Sequence, residues 1–274
     1  MTDLELYPDA QHQPFLLAAG DTHALLIPGF LGTPKEMRPL AESLAAAGVS
    51  ARGALLPGFG PDVGSLGVVR AEAWLRAASD AWAETRKAAR RTVLVGYSMG
   101  GAVALALAAK GGAPDALVLL APHWRFADPR AAALPALKEV VKEFRPFANA
   151  DFADPGTRQM FGELAPALNL DDPAIQSRLR VETTIPTRTL NEVRRIGRMA
   201  AASARKVRAP TTIVQGVADT TTLPAHTRLL ALRLGGPLAL LEVPGGHMLV
   251  EPAAPSWDAV RRIVVAAASA AAGR

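Results

Sequence analysis

The sequence predicts an α/β protein whose mostly parallel central sheet is flanked by helices on both faces. Short runs rich in leucine and β-branched residues alternate with longer helical patterns over most of the chain. Parallel strands joined by right-handed helical crossovers produce this alternation. It stops over residues 123–205, where helical patterns and loops occur without a convincing strand. We therefore expect a core built from residues 1–122 and 206–274, with residues 123–205 forming an inserted helical cap.

The individual elements follow from these patterns. The predicted strands are residues 23–29, 51–58, 91–98, 115–122, 210–216 and 238–245. The predicted helices are residues 33–48, 71–90 and 223–235, together with helices that begin at Met99 and Pro255. The first helix has the best-defined start. Thr33 suits the N-cap, Pro34 suits the first helical position, and Glu36 is placed to complete a capping box.

The composition excludes several classes of function. The chain has 274 residues, a net charge of +5 and no cysteine, so it can form neither disulfides nor thiolate metal sites. The densest basic stretch, residues 191–208, has no aromatic side chain on which a base could stack, so we expect no nucleic-acid partner. The acidic N-terminus lacks a signal-peptide pattern. The apolar run 263–273 is too short to span a bilayer. We expect a cytoplasmic protein without an integral membrane segment.

A serine stands at an abrupt junction between a predicted strand and a predicted helix, within Gly96-Tyr97-Ser98-Met99-Gly100. So tight a turn strains the backbone at Ser98 by about 1–3 kcal/mol. It also brings the positions two before and two after the serine together, where only very small residues fit. The hydroxyl is expected at the carboxyl edge of the sheet, where open α/β folds bind ligands. In this context G-x-S-x-G is the nucleophile elbow of α/β-hydrolases. The alternative is an N-cap serine in a tight loop.

A serine hydroxyl needs a general base, and His247 is the best-placed histidine. It lies late in the chain, in the loop after the last predicted strand, and so at the same sheet edge. The histidines that lack this placement are His12, His23, His123 and His226. Asp219 follows the preceding strand and completes the chain order Ser, Asp, His. Two other aspartates are less well placed, because Asp115 lies at the wrong end of a strand and Asp258 lies within a helix. A loop histidine and a turn-capping aspartate without catalytic roles are the alternatives.

An oxyanion hole requires backbone N–H donors near Ser98. The N–H of Met99 opens the helix after the elbow. Phe30 lies in the loop Gly29–Gly32 after the first predicted strand, where the glycines let the backbone approach a substrate. We predict that the N–H groups of Phe30 and Met99 form the hole.

Beyond these motifs, the chain resembles bacterial carboxylesterases and monoacylglycerol lipases of the α/β-hydrolase superfamily over nearly its whole length. The segments that carry the resemblance, besides the elbow, are GFLGTPKEMRPLAESLAAAG (29–48), LLPGFG (55–60) and TIPTRTLNEVRRI (184–196). The resemblance implies a serine esterase that hydrolyses short or medium acyl esters, or monoacylglycerols, through an acyl-enzyme. It implies a small-molecule ester as the partner, and no metal or organic cofactor. The residues on its catalytic and oxyanion positions are Ser98, Asp219, His247, Phe30 and Met99.

Two positions depart from this family. It usually has a histidine before the oxyanion loop, where this chain has Pro28, and another in the loop where this chain has Phe59. We hypothesise that Pro28 and Phe59 pack together as an apolar pair.

The predicted cap offers apolar side chains for an acyl pocket, although these side chains also suit a core of the insertion itself. The candidates are Trp124, Phe126, Phe144, Phe147, Phe152, Met160 and Phe161. Other functions remain open on the same fold. A lyase of the menaquinone pathway has similar GFLG and GYSMGG segments, but the arginine expected after its double glycine is replaced here by Ala102. A non-catalytic ligand-binding hydrolase fold is the third interpretation.

Overall fold

A computed structural model describes residues 10–110, 113–154, 157, 158, 161 and 168–272. The strands are β1 (Phe15–Leu17), β2 (Thr22–Ile27), β3 (Val49–Gly53), β4 (Arg91–Tyr97), β5 (Ala116–Leu120), β6 (Glu143–Phe144), β7 (Ile185–Pro186), β8 (Thr211–Gly216) and β9 (Leu238–Val243). The helices are α1 (Pro34–Ala46), α2 (Ala71–Lys87), α3 (Met99–Ala108), α4 (Leu134–Val140), α5 (Pro173–Glu182), α6 (Thr187–Ser203), α7 (Pro224–Ala231) and α8 (Trp257–Ala272).

One seven-stranded sheet organises the molecule, in the order β1-β3-β2-β4-β5-β8-β9. β1 runs antiparallel to β3, and every other neighbouring pair is parallel. The predicted α/β fold with a mostly parallel sheet is therefore confirmed. Because β4 occupies the middle of the sheet, the residue that follows it, Ser98, lies at the centre of the carboxyl edge.

Alternate residues of the strands are buried against two layers of helices, as the pleat of a sheet requires. On one face, Leu26 and Val95 belong to the core that contains the inner sides of α1 and α8. On the other face, Leu25 and Leu94 belong to the core that contains the inner sides of α2, α3 and α6. Burial on both faces explains why the central strands are almost uniformly apolar.

The edge of the sheet at β1 differs from the prediction. The strand expected over residues 51–58 runs instead from Val49 to Gly53, and it pairs on its outer side with β1. The ring of Phe15 in β1 lies over Gly53, where an added Cβ would stand 2.7 Å from the ring Cζ. The sequence does not reveal β1, because its three residues are too few for a periodic pattern.

The predicted capping box at the start of α1 is wrong. Thr33 is the N-cap residue but its side chain makes no capping hydrogen bond, and its Oγ1 lies 2.8 Å from Nδ1 of His12 instead. Glu36 does not reach back to the N–H of Thr33. Its Oε2 accepts a hydrogen bond of 2.9 Å from the N–H of Gly29 in the preceding loop. Tertiary partners thus replace the local ones that the pattern indicated.

The segment between β5 and β8 contains α4, α5 and α6, together with the short antiparallel pair β6 and β7, which the sequence does not predict. Its last helix, α6, is attached to the core. Glu192 accepts a hydrogen bond of 3.0 Å from the N–H of Ala71 at the start of α2, and Thr189 donates one of 3.2 Å to the carbonyl of Leu66. Gly197 lies so close to Trp124 that an added Cβ would stand 2.8 Å from the carbonyl carbon of Trp124. The division into a core and a cap at residues 123–205 stays a prediction.

Within the described residues, no helix combines the length and the apolar character needed to cross a membrane.

Candidate active site

Ser98 occupies the corner between β4 and α3 with φ 51° and ψ −118°. A positive φ is uncommon outside glycine and marks local strain. The corner is held by backbone hydrogen bonds, because the N–H of Ser98 donates to the carbonyl of Leu120 at 2.8 Å and the N–H of His123 donates to the carbonyl of Ser98 at 2.9 Å. Both links fasten Ser98 to the end of β5, so the surrounding structure keeps the strained conformation in place.

The glycines on either side of Ser98 are required by contact between backbones. An added Cβ at Gly96 would lie 2.7 Å from Cα of Gly101. One at Gly100 would overlap the carbonyl oxygens of Ile27 and Pro28 at the end of β2. The close approach predicted from the glycine spacing is therefore present, and it also extends to the neighbouring strand.

His247 connects Ser98 to Asp219. Its Nε2 lies 2.9 Å from Oγ of Ser98, and its Nδ1 lies 2.7 Å from Oδ2 of Asp219. Asp219 lies in the loop after β8 and His247 in the loop after β9, and both loops leave the carboxyl edge of the sheet. The structure thus brings together the three side chains that the sequence selected from separate parts of the chain.

The carboxylate of Asp219 is almost completely buried, with 2% of the residue exposed. Oδ1 accepts hydrogen bonds from the N–H groups of Thr221 (2.8 Å) and Thr222 (2.9 Å). Oδ2 accepts from Oγ1 of Thr222 at 2.7 Å and from Nε2 of Gln215 at 3.0 Å. Burial alone would raise the pKa of Asp219, but hydrogen bonds and charge from His247, with the bonds from Thr222, lower it below its ordinary value. Asp219 is therefore ionised and fixed in one orientation beside the imidazole.

Sequence reasoning missed Thr222 and Gln215. The signal for Thr222 is the segment Asp219-Thr220-Thr221-Thr222, since an aspartate often accepts hydrogen bonds from the N–H groups two and three residues later. Gln215 gives no such local signal. Its amide is buried at the end of β8, where its Oε1 accepts a hydrogen bond of 2.6 Å from Thr227 in α7.

Tyr97, the residue before the serine, holds the histidine loop. Its hydroxyl donates a hydrogen bond of 3.0 Å to the carbonyl of His247, and the two rings lie 5.3 Å apart, centroid to centroid. The variable second position of the elbow pattern therefore has a structural role here that the pattern does not indicate.

The predicted oxyanion loop passes directly beside Ser98. An added Cβ at Gly29 would lie 3.5 Å from Cβ of Ser98. The loop is a turn closed by a hydrogen bond of 3.1 Å from the N–H of Gly32 to the carbonyl of Gly29, and Leu31 within it has φ 61°. In the part of the chain that the structure describes, the N–H groups of Phe30 and Met99 donate to no protein acceptor. Both donors are thus available beside the serine.

Phe59 is fully buried behind this loop. Its ring packs edge-on against Phe30, with the ring centroids 5.6 Å apart, and lies tilted by 40° against Trp74, with the centroids 5.7 Å apart. Phe59 therefore supports the turn through Phe30, and its packing against Pro28 stays a prediction.

The side chains predicted to form an acyl pocket have different surroundings. Trp124 belongs to the main core, where its indole N–H donates to the carbonyl of His226 at 2.9 Å. Phe147 packs on a separate small core formed by Phe152, Phe161, Leu170 and Leu179, in the segment between β5 and β8. Phe144 is 48% exposed. Phe126 packs edge-on against the ring of His123, with the ring centroids 4.9 Å apart. The backbone N–H of His123 in turn donates to the carbonyl of Ser98. Met160 lies outside the described residues. A substrate-binding role for these residues stays a prediction, and Phe126 is the best placed.

His123 is a buried histidine beside the site. Burial, with the charges of His247 and His226, lowers the pKa of His123 to about 4. The imidazole of His123 is therefore neutral at physiological pH, and it adds no positive charge next to His247.

Taken together, these groups can move a proton from Oγ of Ser98 to Nε2 of His247 while Asp219 stabilises the resulting imidazolium. The backbone donors can accept the negative charge that nucleophilic attack places on a carbonyl oxygen.

Comparison with known proteins places this geometry in context. The model of the Hydrolase_4 family, described as serine aminopeptidase, S33, matches residues 21–246. A thermostable monoacylglycerol lipase from Bacillus sp. (strain H-257) is 32% identical over 96 residues, which make up 35% of this chain and 38% of that protein. The match thus spans well under half of the relative's length.

Solved structures share the fold. One from work on LipS and LipT, two metagenome-derived lipolytic enzymes, superposes with a TM-score of 0.76 at 20% identity over 95% of this chain and 98% of the other. The monoacylglycerol lipase of Paleococcus ferrophilus superposes with a TM-score of 0.72 at 18% identity, over 94% of this chain and 98% of the other.

Proposed function

This chain belongs to the Hydrolase_4 family of α/β-hydrolases, and on that basis we propose that it is a serine esterase that hydrolyses carboxylic esters through an acyl-enzyme. The observation that carries the proposal is the position of His247, whose ring nitrogens lie within hydrogen-bond distance of Ser98 and Asp219 at once. A histidine in this position can activate the serine and is itself oriented by the carboxylate.

The proposed cycle uses Ser98 as the nucleophile. His247 takes the proton from Oγ as Oγ forms a bond to the ester carbonyl carbon, and the N–H groups of Phe30 and Met99 hold the oxyanion. The tetrahedral intermediate collapses with cleavage of the bond to the alcohol oxygen, which receives the proton from His247. Water then attacks the acyl-enzyme with His247 again as the base, and the acid leaves while the proton returns to Ser98.

We infer short or medium acyl esters, or monoacylglycerols, as the substrates. Relatives with partial sequence similarity or with the same fold are named as a monoacylglycerol lipase and lipolytic enzymes. The aromatic ring of Phe126 packs against His123, whose backbone N–H donates to the carbonyl of Ser98, so Phe126 lies near the serine, where an acyl chain would lie. Apolar lining of this kind suits an acyl chain better than a charged substrate.

The test measures initial rates on p-nitrophenyl esters from acetate to palmitate and on monoacylglycerols, with the wild type beside Ser98→Ala. The exposed serine of α2, Ser79, supplies the matched control Ser79→Ala. Amino-acid p-nitroanilides form a separate arm, because the family description names an aminopeptidase. Mass spectrometry after treatment with a fluorophosphonate shows which serine is labelled.

We expect the wild type to hydrolyse esters with an optimum of acyl-chain length. The rate should fall by a factor of about 10⁴ or more in Ser98→Ala and stay unchanged in Ser79→Ala. Labelling should be confined to Ser98. Turnover of the p-nitroanilides alone would replace the esterase with an amidase. A protein that neither hydrolyses esters nor is labelled at Ser98 would contradict the proposal.

A further inference from the structure

Glu36 stands in the first turn of α1, yet its carboxyl group serves the preceding loop. Oε2 accepts the hydrogen bond of 2.9 Å from the N–H of Gly29, seven residues earlier. A glutamate at this helix position usually caps its own helix. Here the side chain of the N-cap residue, Thr33, makes no capping hydrogen bond. The side chain of Glu36 is thus committed to the loop.

The turn Gly29–Gly32 wraps around this carboxyl group. At one end, the N–H of Gly29 bonds to it, and at the other end an added Cβ on Gly32 would stand 2.9 Å from Cδ of Glu36 and overlap Oε2. Between these contacts lies Leu31 with φ 61°. A non-glycine residue keeps such a backbone conformation only where its surroundings over-determine it. Glu36 supplies contacts at both ends of the turn.

The surroundings of Glu36 are unfavourable for a charge. Burial and, to a smaller extent, the charge of Glu251 raise the pKa of Glu36 to about 7, although the hydrogen bond from Gly29 lowers it. In the described part of the chain, no cationic side chain pairs with Glu36. Glu36 is half-buried, yet removing a carboxyl group from water without a counter-ion is costly, so simple stabilisation of α1 does not explain its place under the loop. An exposed residue in the same helical turn would interact with the helix dipole at less cost.

We propose that Glu36 is a positioning residue, whose carboxyl oxygen fixes the turn Gly29–Gly32 so that the N–H of Phe30 points at the substrate carbonyl. The inference rests on the proposed function, because it assigns Phe30 to the oxyanion hole. Glu36 touches neither the substrate nor Ser98 in this scheme. It acts through the peptide of Gly29, next to the donor.

The test compares two uncharged replacements of similar length, Glu36→Gln and Glu36→Met. The glutamine amide oxygen accepts the Gly29 hydrogen bond, whereas the methionine thioether is a weak acceptor. Any effect of losing the charge is common to both. Glu42→Gln, at an exposed position of the same helix, is the matched control. Each variant is measured for kcat and KM on the best ester, for inhibition by an alkyl boronic acid that forms a tetrahedral adduct with the serine, and for its melting temperature. Should Glu36→Met fail to fold, Glu36→Ala replaces it in the comparison.

We expect Glu36→Met to lower kcat about 10- to 100-fold with KM within about threefold, since misplacing an oxyanion donor affects the transition state more than the ground state. Boronate affinity should fall in parallel. Glu36→Gln should recover kcat to within about threefold of the wild type. A merely structural role would shift the melting temperature without this pattern of kcat, boronate binding and rescue.

Equal kcat values for Glu36→Met and the wild type would overturn the inference, and so would equal losses in the Gln and Met variants. A wild type without esterase activity would overturn both this inference and the proposed function. An active wild type with unaffected Glu36 variants would overturn this inference alone.

Discussion

Two adjacent corners of the sheet meet at the candidate site, and they are held in different ways. The β4–α3 corner carries Ser98, and the β2–α1 loop carries Phe30. Each contains a non-glycine residue with a positive φ, 51° at Ser98 and 61° at Leu31. At the first corner, backbone lies directly against backbone. At the second, the turn is wrapped around a single side chain, Glu36.

The sequence locates both corners, but it indicates what holds the first corner in place and not what holds the second. Contact between backbones demands glycine at fixed spacing, and this leaves a pattern of letters. A turn held by a side chain requires only an acceptor within reach, which many positions can supply. We also expect the glycines of the first corner to tolerate no larger residue, whereas a larger residue in the second corner should cost less stability.

Gly100→Ala should have the largest effect. The new Cβ would overlap the carbonyl oxygens of Ile27 and Pro28, which cannot move without disrupting β2. We expect the free energy of unfolding to fall by about 3 kcal/mol or more and kcat/KM to fall at least about 100-fold. Chemical denaturation and ester hydrolysis measure both. Gly64→Ala, where an added Cβ meets nothing within 4 Å, is the control. Wild-type stability in Gly100→Ala would remove the distinction between the two corners.

Gly32→Ala should be milder. Its Cβ would meet the carboxyl group of Glu36, the far end of a flexible side chain rather than backbone. The protein should fold with a smaller loss of stability than Gly100→Ala, while kcat falls about 10- to 100-fold because the turn is displaced. Melting curves and steady-state kinetics of Gly32→Ala and Gly100→Ala, measured side by side, compare the two losses of stability and activity. Equal losses of stability would show that the loop is as rigid as the elbow.

The pH dependence of stability tests the protonation of Glu36. Its pKa in the folded protein is raised from 4.5 to about 7, so the folded state holds this proton more tightly than the unfolded state. The contribution of Glu36 to the free energy of unfolding should therefore be largest below about pH 4.5. It should decrease as the pH rises towards about 7. Glu36→Gln should flatten that decrease, and Glu42→Gln should not. Urea titrations at about pH 5 and about pH 8 measure it. An unchanged slope in Glu36→Gln would contradict the expectation.

Phe30→Ala should have the smallest effect. The variant keeps the backbone N–H of residue 30 and loses the edge contact with Phe59. We expect kcat/KM to fall less than about tenfold, since the donor is retained and only its support is weakened. A loss as large as that of Ser98→Ala would mean that the aromatic ring itself serves the reaction.

Much of the fold and the arrangement of the site could be predicted from sequence where the determinants are local. The alternation of strands and helices predicted the parallel sheet, and the glycine spacing predicted the corner at Ser98. Asp219 and His247 followed from their places after successive strands, because parallel strands bring such loops to one edge. The structure brings all three side chains together, and their roles are part of the proposed function.

The remainder depends on contacts between distant residues or on elements too short to form a pattern. β1 and the pair β6–β7 have no detectable period. The capping box at Glu36 was a sound local expectation, but the loop at Gly29 competes for the same carboxyl group. Gln215 and Tyr97 support Asp219 and His247 through partners that the sequence does not place side by side.

The attachment of α6 has a consequence for any displacement of this helix from the core. Glu192, Thr189 and Gly197 fasten this helix to α2, the preceding loop and Trp124. Any opening motion that includes α6 must break a buried hydrogen bond and separate closely packed backbone. We therefore expect α6 to remain with the core, as a rigid part of it.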